Sequence, residues 1–279
     1  MEWWAWPIAL FALTFAMGIV AVLAGVGGGV LFVPIVGAFF PFHLDFVRAA
    51  GLLLALTGAL SAAPALLTSG MASLRLAMPL ALVGSVTSIV GALVGLALPT
   101  QAVQLALGST ILAIALIMWR AGRSEHPQVT QPDPLGLALG MRGAYHDAAS
   151  GEEVRWQVHR TPAALVVFAF IGLIAGMFGL GAGWANVPAF NLLMGAPLKL
   201  SVATSGLLLS VVDSSAAWVY LNRGAVLPIL VVPSIIGVML GAKIGARLLR
   251  IAPASLVRKI VLALLLLAGA RAFLRGIAF

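Results

Sequence analysis

The chain has 279 residues, of which 62% are hydrophobic and 9% charged, with a formal charge of +8 and no cysteine. A soluble domain is about 45–50% apolar and about 25% charged, so water is excluded as the main solvent, as are collagen-like and disordered classes. Lack of cysteine excludes a disulfide framework, a thiol nucleophile and a zinc-thiolate centre. The basic residues lie scattered through apolar sequence without interleaved aromatics, which points to a lipid bilayer and excludes a nucleic-acid surface.

A spanning helix needs about 20 apolar residues. Trp6–Ala24, Val47–Leu67, Leu76–Leu98 and Ala102–Trp119 meet that length in the first half of the chain. Ala163–Met177, Ser201–Leu221, Val226–Leu249 and Ser255–Phe273 are their counterparts in the second. Two further runs, Val30–Phe40 and Trp184–Met194, reach only about 16 Å at 1.5 Å per residue and are too short to cross. Each follows a glycine cluster. The opening Met1-Glu2-Trp3-Trp4-Ala5-Trp6 lacks the basic region of a signal peptide and reads as an interfacial aromatic anchor.

Residues 120–161 break the pattern, with ten of the 24 charged residues and prolines at 127, 132 and 134. Within them, Gly143–Asp147 and Glu152–Val158 suggest a small β-hairpin in an extramembrane connector. The expected division is therefore a first transmembrane repeat over 1–119, the connector over 120–161 and a second repeat over 162–279.

The halves align without gaps. Gly25-Val-Gly-Gly-Gly-Val-Leu-Phe-Val-Pro34 lies over Gly179-Leu-Gly-Ala-Gly-Trp-Ala-Asn-Val-Pro188, an offset of 154 residues. The same offset pairs Ser61 with Ser215, Gly70 with Gly224, Pro79 with Pro233 and Gly91 with Gly245. Duplicated bundles are the usual construction of secondary transporters. If each glycine cluster turns a hairpin, the number of crossings per half is odd and the repeats are inverted. That arrangement collects eleven basic residues on the connector's side against four on the other, Arg48 among the four, whereas a continuous broken span gives nine against six. The positive-inside rule then favours inversion, a cytoplasmic connector and both termini outside.

Glycine permits tight turns and close approach, and the unpaired first-turn N–H groups of a helix favour an anion. Gly25, Gly27, Gly28 and Gly29 precede one short helix, and Gly179, Gly181 and Gly183 precede the other. Facing each other, the two tips would form an anion site near the midplane. Asn186, Asn191, Thr57, Ser61 and Ser215 supply neutral donors. Asp213 is the one acid inside an expected span, and its repeat mate is Ala59. It carries a coupling proton or gates the pathway, or else it is a structural carboxylate bonded to a serine or to Arg223. Gly237, Gly241 and Gly245 make a small-residue face for packing within the protomer, with a homodimer contact as its second use. The four histidines have no metal-ligand spacing, so no metal or other cofactor is assigned, and no acid–histidine pair supports an intramembrane enzyme.

These residues also carry a family likeness. The paired glycine motifs ending in Pro34 and Pro188, the stretch Ala203-Thr204-Ser205 and the later Tyr220-Leu-Asn-Arg-Gly224 resemble the sulfite exporter TauE/SafE permeases of the toluene sulfonate uptake superfamily. The first half departs from the pattern with Ala50-Gly51 opposite Thr204-Ser205, as does Ala182 in the second glycine motif. The resemblance implies an all-α, polytopic bacterial inner-membrane transporter that exports small sulfur-containing anions, with Thr204 and Ser205 joining the substrate site. An uncoupled anion channel and a membrane assembly factor are the alternative functions.

Overall fold

The computed structural model describes residues 4–24, 28–68, 72–120, 129, 131–147 and 152–248, and in the last segment 263, 266–267, 269–274 and 276–277. Helices α1 (Ala5–Ala24), α2 (Gly28–Phe39), α3 (Leu44–Thr68), α4 (Leu74–Ala97) and α5 (Thr100–Arg120) form the first half. The connector contributes α6 (Pro134–Ala138), β1 (Arg142–Asp147) and β2 (Glu152–Gln157). Helices α7 (Thr161–Phe178), α8 (Gly183–Pro188), α9 (Leu198–Asn222) and α10 (Pro228–Leu248) follow, and Ala189–Leu193 continues α8 as a π-helical turn. Shifting α3 by 154 residues reproduces the bounds of α9. Helices α3, α4, α7, α9 and α10 are long and apolar enough to cross a membrane. On α4 the large exposed side chains Met78, Leu82, Val86, Val90 and Val94 recur every fourth residue, marking one lipid-facing stripe.

In both halves the helices on either side of the glycine cluster return as a hairpin. The Trp6 ring, at the start of α1, lies 5.7 Å from Phe40 and 5.9 Å from Phe42, just past the end of α2. In the second half the His159 amide, before α7, donates to the Met194 carbonyl after the π turn at 3.1 Å. A continuous span would hold these ends far apart.

The halves interlock by exchange. Helix α1 packs along α10, and its counterpart α7 packs along α4. Glycines make both contacts close: a methyl on Gly241 would stand 2.1 Å from the Phe15 carbonyl oxygen, and one on Gly91 would stand 2.1 Å from that of Leu173. The small-residue face on α10 is therefore spent within the protomer. Overpacking of this kind costs roughly 1–3 kcal/mol, so Gly241→Ala and Gly91→Ala should each lower the melting temperature of the detergent-solubilised protein by several degrees.

Helices α3 and α9 cross antiparallel at the centre. Arg48 lies over the Tyr220 ring at one end, while Ala55, further along α3, meets Gly181 together with Leu209, earlier in α9. Helix α5 and the described part of the last segment are likewise antiparallel, with Gln101 donating to the Gly276 carbonyl and Gly108 against Phe273. We call the end of the bundle where α3 begins face A and the opposite end, where α9 begins, face B.

The connector docks on face B. Strands β1 and β2 pair antiparallel, Tyr145 opposite Val154, and Met141, Tyr145, Trp156 and Val158 are buried in one core with the bundle. Asp133 fastens this docking. Its carboxylate caps α6 by accepting from the Gly136 amide at 3.1 Å, and it accepts from the Thr161 hydroxyl at 2.8 Å at the start of α7. Burial opposes its ionisation, but the hydrogen bonds from Thr161 and Gly136 outweigh that and hold the carboxyl below the usual carboxylate range.

Candidate anion site at the glycine tips

The tips meet near the middle of the bundle. Gly28 and Gly29 open α2, while Gly25 and Gly27 lie outside the described residues. A methyl on Gly29 would come within 2.7 Å of two carbonyl oxygens, those of Gly51 in α3 and Leu180 in the second tip. The two hairpins therefore touch backbone to backbone, with Gly51 as the third member. A methyl there would stand 2.4 Å from the Gly179 carbonyl oxygen.

The second tip follows from its glycines. Gly179 ends α7 in the left-handed region at φ +69°, donating its N–H to the Ala175 carbonyl at 2.9 Å. Gly181 repeats that conformation at φ +69° and turns the chain back. Both are conformations that a Cβ disfavours. Helix α8 then starts at Gly183, with Ala185 and Asn186 donating their amides to the Ala182 carbonyl. Its start lies beside Ala55 and Asp213, each near the midpoint of its own helix. The two bonds to the Ala182 carbonyl engage Ala185 and Asn186, so only the N–H groups ahead of them in the turn have no partner within α8.

Asp213 closes one side of this tip. It is fully buried, and a methyl on Gly181 would stand 3.0 Å from its Oδ2. Among the described residues neither carboxylate oxygen completes a hydrogen bond. The Ala182 backbone N–H is the hydrogen-bonding group that faces it. The neighbouring serines are engaged elsewhere: Ser210 donates to Leu207 at 2.7 Å and Ser214 to Val211 at 2.9 Å. Arg223 stands exposed where α9 ends, about 15 Å along the axis. Asp213 is thus not the serine- or arginine-bonded carboxylate that the alternative reading required.

Asn186 is the second group of this kind, fully buried with neither its amide oxygen nor its nitrogen paired among the described residues. A buried polar group without a partner costs about 1–3 kcal/mol, and two such groups on one tip suit a site that takes a ligand.

The remaining candidates are placed differently. Thr57 donates to Leu53, Ser61 to Thr57 and Ser215 to Val211, each hydroxyl proton returning to its own helix. Asn191 donates to Ala196 at 2.9 Å and ties the turn that follows the π segment. Thr204 accepts from the Ser73 amide at 3.2 Å, and it and Ser205 lie about 12–13 Å from Asp213 towards face B. The tip thus gathers Gly28, Gly29, Gly181, Gly183, Asn186 and Asp213, with Thr204 and Ser205 lower on the face-B side.

Arg48 is the residue that the sequence alone misplaces. The apolar run Val47–Leu67 contains it while the charge count sets it on one side of the membrane, yet it is buried to 2% exposure. Its Nη1 donates to the Met177 carbonyl at 2.9 Å and to that of Gly95 at 3.0 Å, the C-terminal ends of α7 and α4. Nη2 pairs with Asp45, and the guanidinium lies 5.8 Å over the Tyr220 ring. Tyr220 in turn donates to Gly176 at 3.0 Å. A cation at two helix C-termini is favourable, and these two carbonyls let arginine sit inside the bundle. The available signal was its mate, since the 154-residue offset sets Arg48 against Val202.

Among the described residues no three of His, Cys, Asp and Glu stand together as metal ligands. No curated protein and no solved structure matches the chain. A family model does match, over residues 10–272. With hairpin tips meeting at mid-bundle and five helices of spanning length, that match identifies the chain as a multi-pass membrane protein of the sulfite exporter TauE/SafE family.

Proposed function

We propose that this chain is a secondary transporter that moves small sulfur-containing anions, such as sulfite or organosulfonates, outward across the bacterial inner membrane. The observation that carries the reading is the meeting of two glycine tips beside buried Asn186 and Asp213, neither of which has a side-chain partner among the described residues. Glycine backbone and neutral amides hold an oxyanion without the deep trap that a lysine at the midplane would make. With the tips in backbone contact the site is closed. Alternating access would part them by moving one repeat against the other. The exchange of α1 and α7 between halves and the antiparallel crossing of α3 and α9 support two inverted repeats.

The connector is assigned to the cytoplasm, with face A outside. Removing buried Arg48 from the charge comparison leaves eleven basic residues against three, which favours this orientation further. An inside-negative potential drives anion export. Coupling to protons is preferred to an uncoupled channel because a channel has no need of a carboxylate buried at the tip. The test is flux in proteoliposomes with sulfite, organosulfonates, sulfate and thiosulfate, with and without a pH gradient. Sulfite or sulfonate flux at least tenfold above empty vesicles is expected, and no flux of any of the four would overturn the reading.

A further inference from the structure

We infer that Arg48 is the gate on face A: it holds the second tip shut and is the residue that takes the anion as the tip opens. The inference rests on the transport reading for its ligand but on separate residues for its geometry.

Three observations converge. Nη1 ties Met177, two residues before Gly179, to Gly95 at the end of α4, so the hairpin cannot leave α4 while both bonds stand. A methyl on Gly179 would lie 2.2 Å from the Arg48 carbonyl oxygen, which puts the tip directly against this residue's backbone as well. Nε is buried and has no partner among the described residues, leaving one guanidinium donor unused in the closed state. A planar guanidinium presents paired donors to two oxygens of one oxyanion. An anion reaching Arg48 would take Nε together with Nη2, the donor on the same edge, which Asp45 now holds. As the guanidinium turns to the anion, Nη1 leaves Met177 and the end of α7 is freed.

Asp45 sets the strength of this gate. It lies one turn earlier on α3, pairs with Nη2, and its side chain is 30% exposed on face A. His43 stands 3.4 Å from the same carboxylate, further out. Asp45 competes with the anion for Arg48 and so keeps passage brief. The arginine–carboxylate pair is not repeated at the equivalent positions of the second half, where Asp45 and Arg48 have Lys199 and Val202 as mates. Two otherwise equivalent hairpins would then open by different means on the two faces.

The absence of native cysteine makes the test direct. Leu180→Cys places a single thiol on the buried second tip, to be labelled by a membrane-impermeant reagent from face A. Adding Arg48→Gln should raise the labelling rate at least tenfold, and Arg48→Lys should raise it less. Asp45→Asn, at a partly exposed position that tolerates the change, should lower the KM for sulfite at least threefold by removing the competing carboxylate. A merely structural ion pair would lower the melting temperature and leave KM and labelling unchanged, and that result overturns the gate. If Arg48→Gln does not fold, Arg48→Lys and Asp45→Asn decide the question alone. Labelling also separates the two proposals: a tenfold rise without flux of any sulfur anion keeps the gate and removes the substrate assignment.

Discussion

Replacing Asp213 by asparagine will abolish sulfite accumulation driven by a pH gradient while sulfite exchange across the same vesicles continues. The substitution keeps shape and burial and removes only the proton that the side chain can carry. Among the described residues Asp213 is the one fully buried acidic side chain. It borders Gly181, where the second hairpin turns back. An ionisable group at this depth is costly and marks a functional site by default. Its partners are set aside by the fold, since Ser210 and Ser214 are committed to their own helix. The measurement is uptake in proteoliposomes with an imposed pH gradient, beside counterflow without one. Coupled uptake retained at the parental level would remove Asp213 from coupling.

The second large effect is expected at Gly181. Gly181→Ala should reduce sulfite flux at least tenfold in protein that remains folded. At φ +69° any Cβ is strained, at about 1–2 kcal/mol for an L-residue in the left-handed region. This Cβ would also meet the Ala55 Cβ at 2.8 Å and Asp213 Oδ2 at 3.0 Å. The tip must shift, and with it the start of α8. Gly224 provides the control, because it has φ +66° and a methyl added there would meet nothing within 4 Å. Gly224→Ala carries the same backbone strain away from the tips, so it should lower stability slightly and leave flux intact. Adding Ala55→Gly to Gly181→Ala should recover part of the lost flux. Equal flux losses in the Gly181 and Gly224 variants would show that strain alone, and not the tip, is responsible.

Glycine and hydropathy were the legible part of this chain. Among the described residues the apolar runs located the helices to within a few residues, because a bilayer imposes one length on them; most of the run Ser255–Phe273 lies outside the described residues. Gly25–Gly29 and Gly179–Gly183 marked where two short helices begin, and the charge count favoured hairpins there over broken spans. Side-chain commitments were not legible. Ser61 and Ser215 read as donors for a ligand, yet each returns its proton to a carbonyl four residues back. Arg48 reads as a surface charge because hydropathy cannot see the ends of α4 and α7 converging on it. The origins differ: the serine hydroxyls find carbonyls one turn back in their own helices, whereas the carbonyls that hold Arg48 come from helices distant in the chain. The π-helical turn over Ala189–Leu193 was equally invisible, although Pro188, which precedes it, was in view.

The exchange of helices between halves bears on how the chain is made. Helix α1 ends at residue 24, and α10, against which it packs, is complete only at residue 248. At about 5–20 residues per second of synthesis, that interval is on the order of 10–40 s. During it the glycine-lined seam of α1 at Gly18 faces lipid or the insertion machinery, with its permanent neighbour still unwritten. Helix α4 waits much less for α7. The two equivalent seams therefore close in sequence, the one between α4 and α7 first and the one between α1 and α10 later.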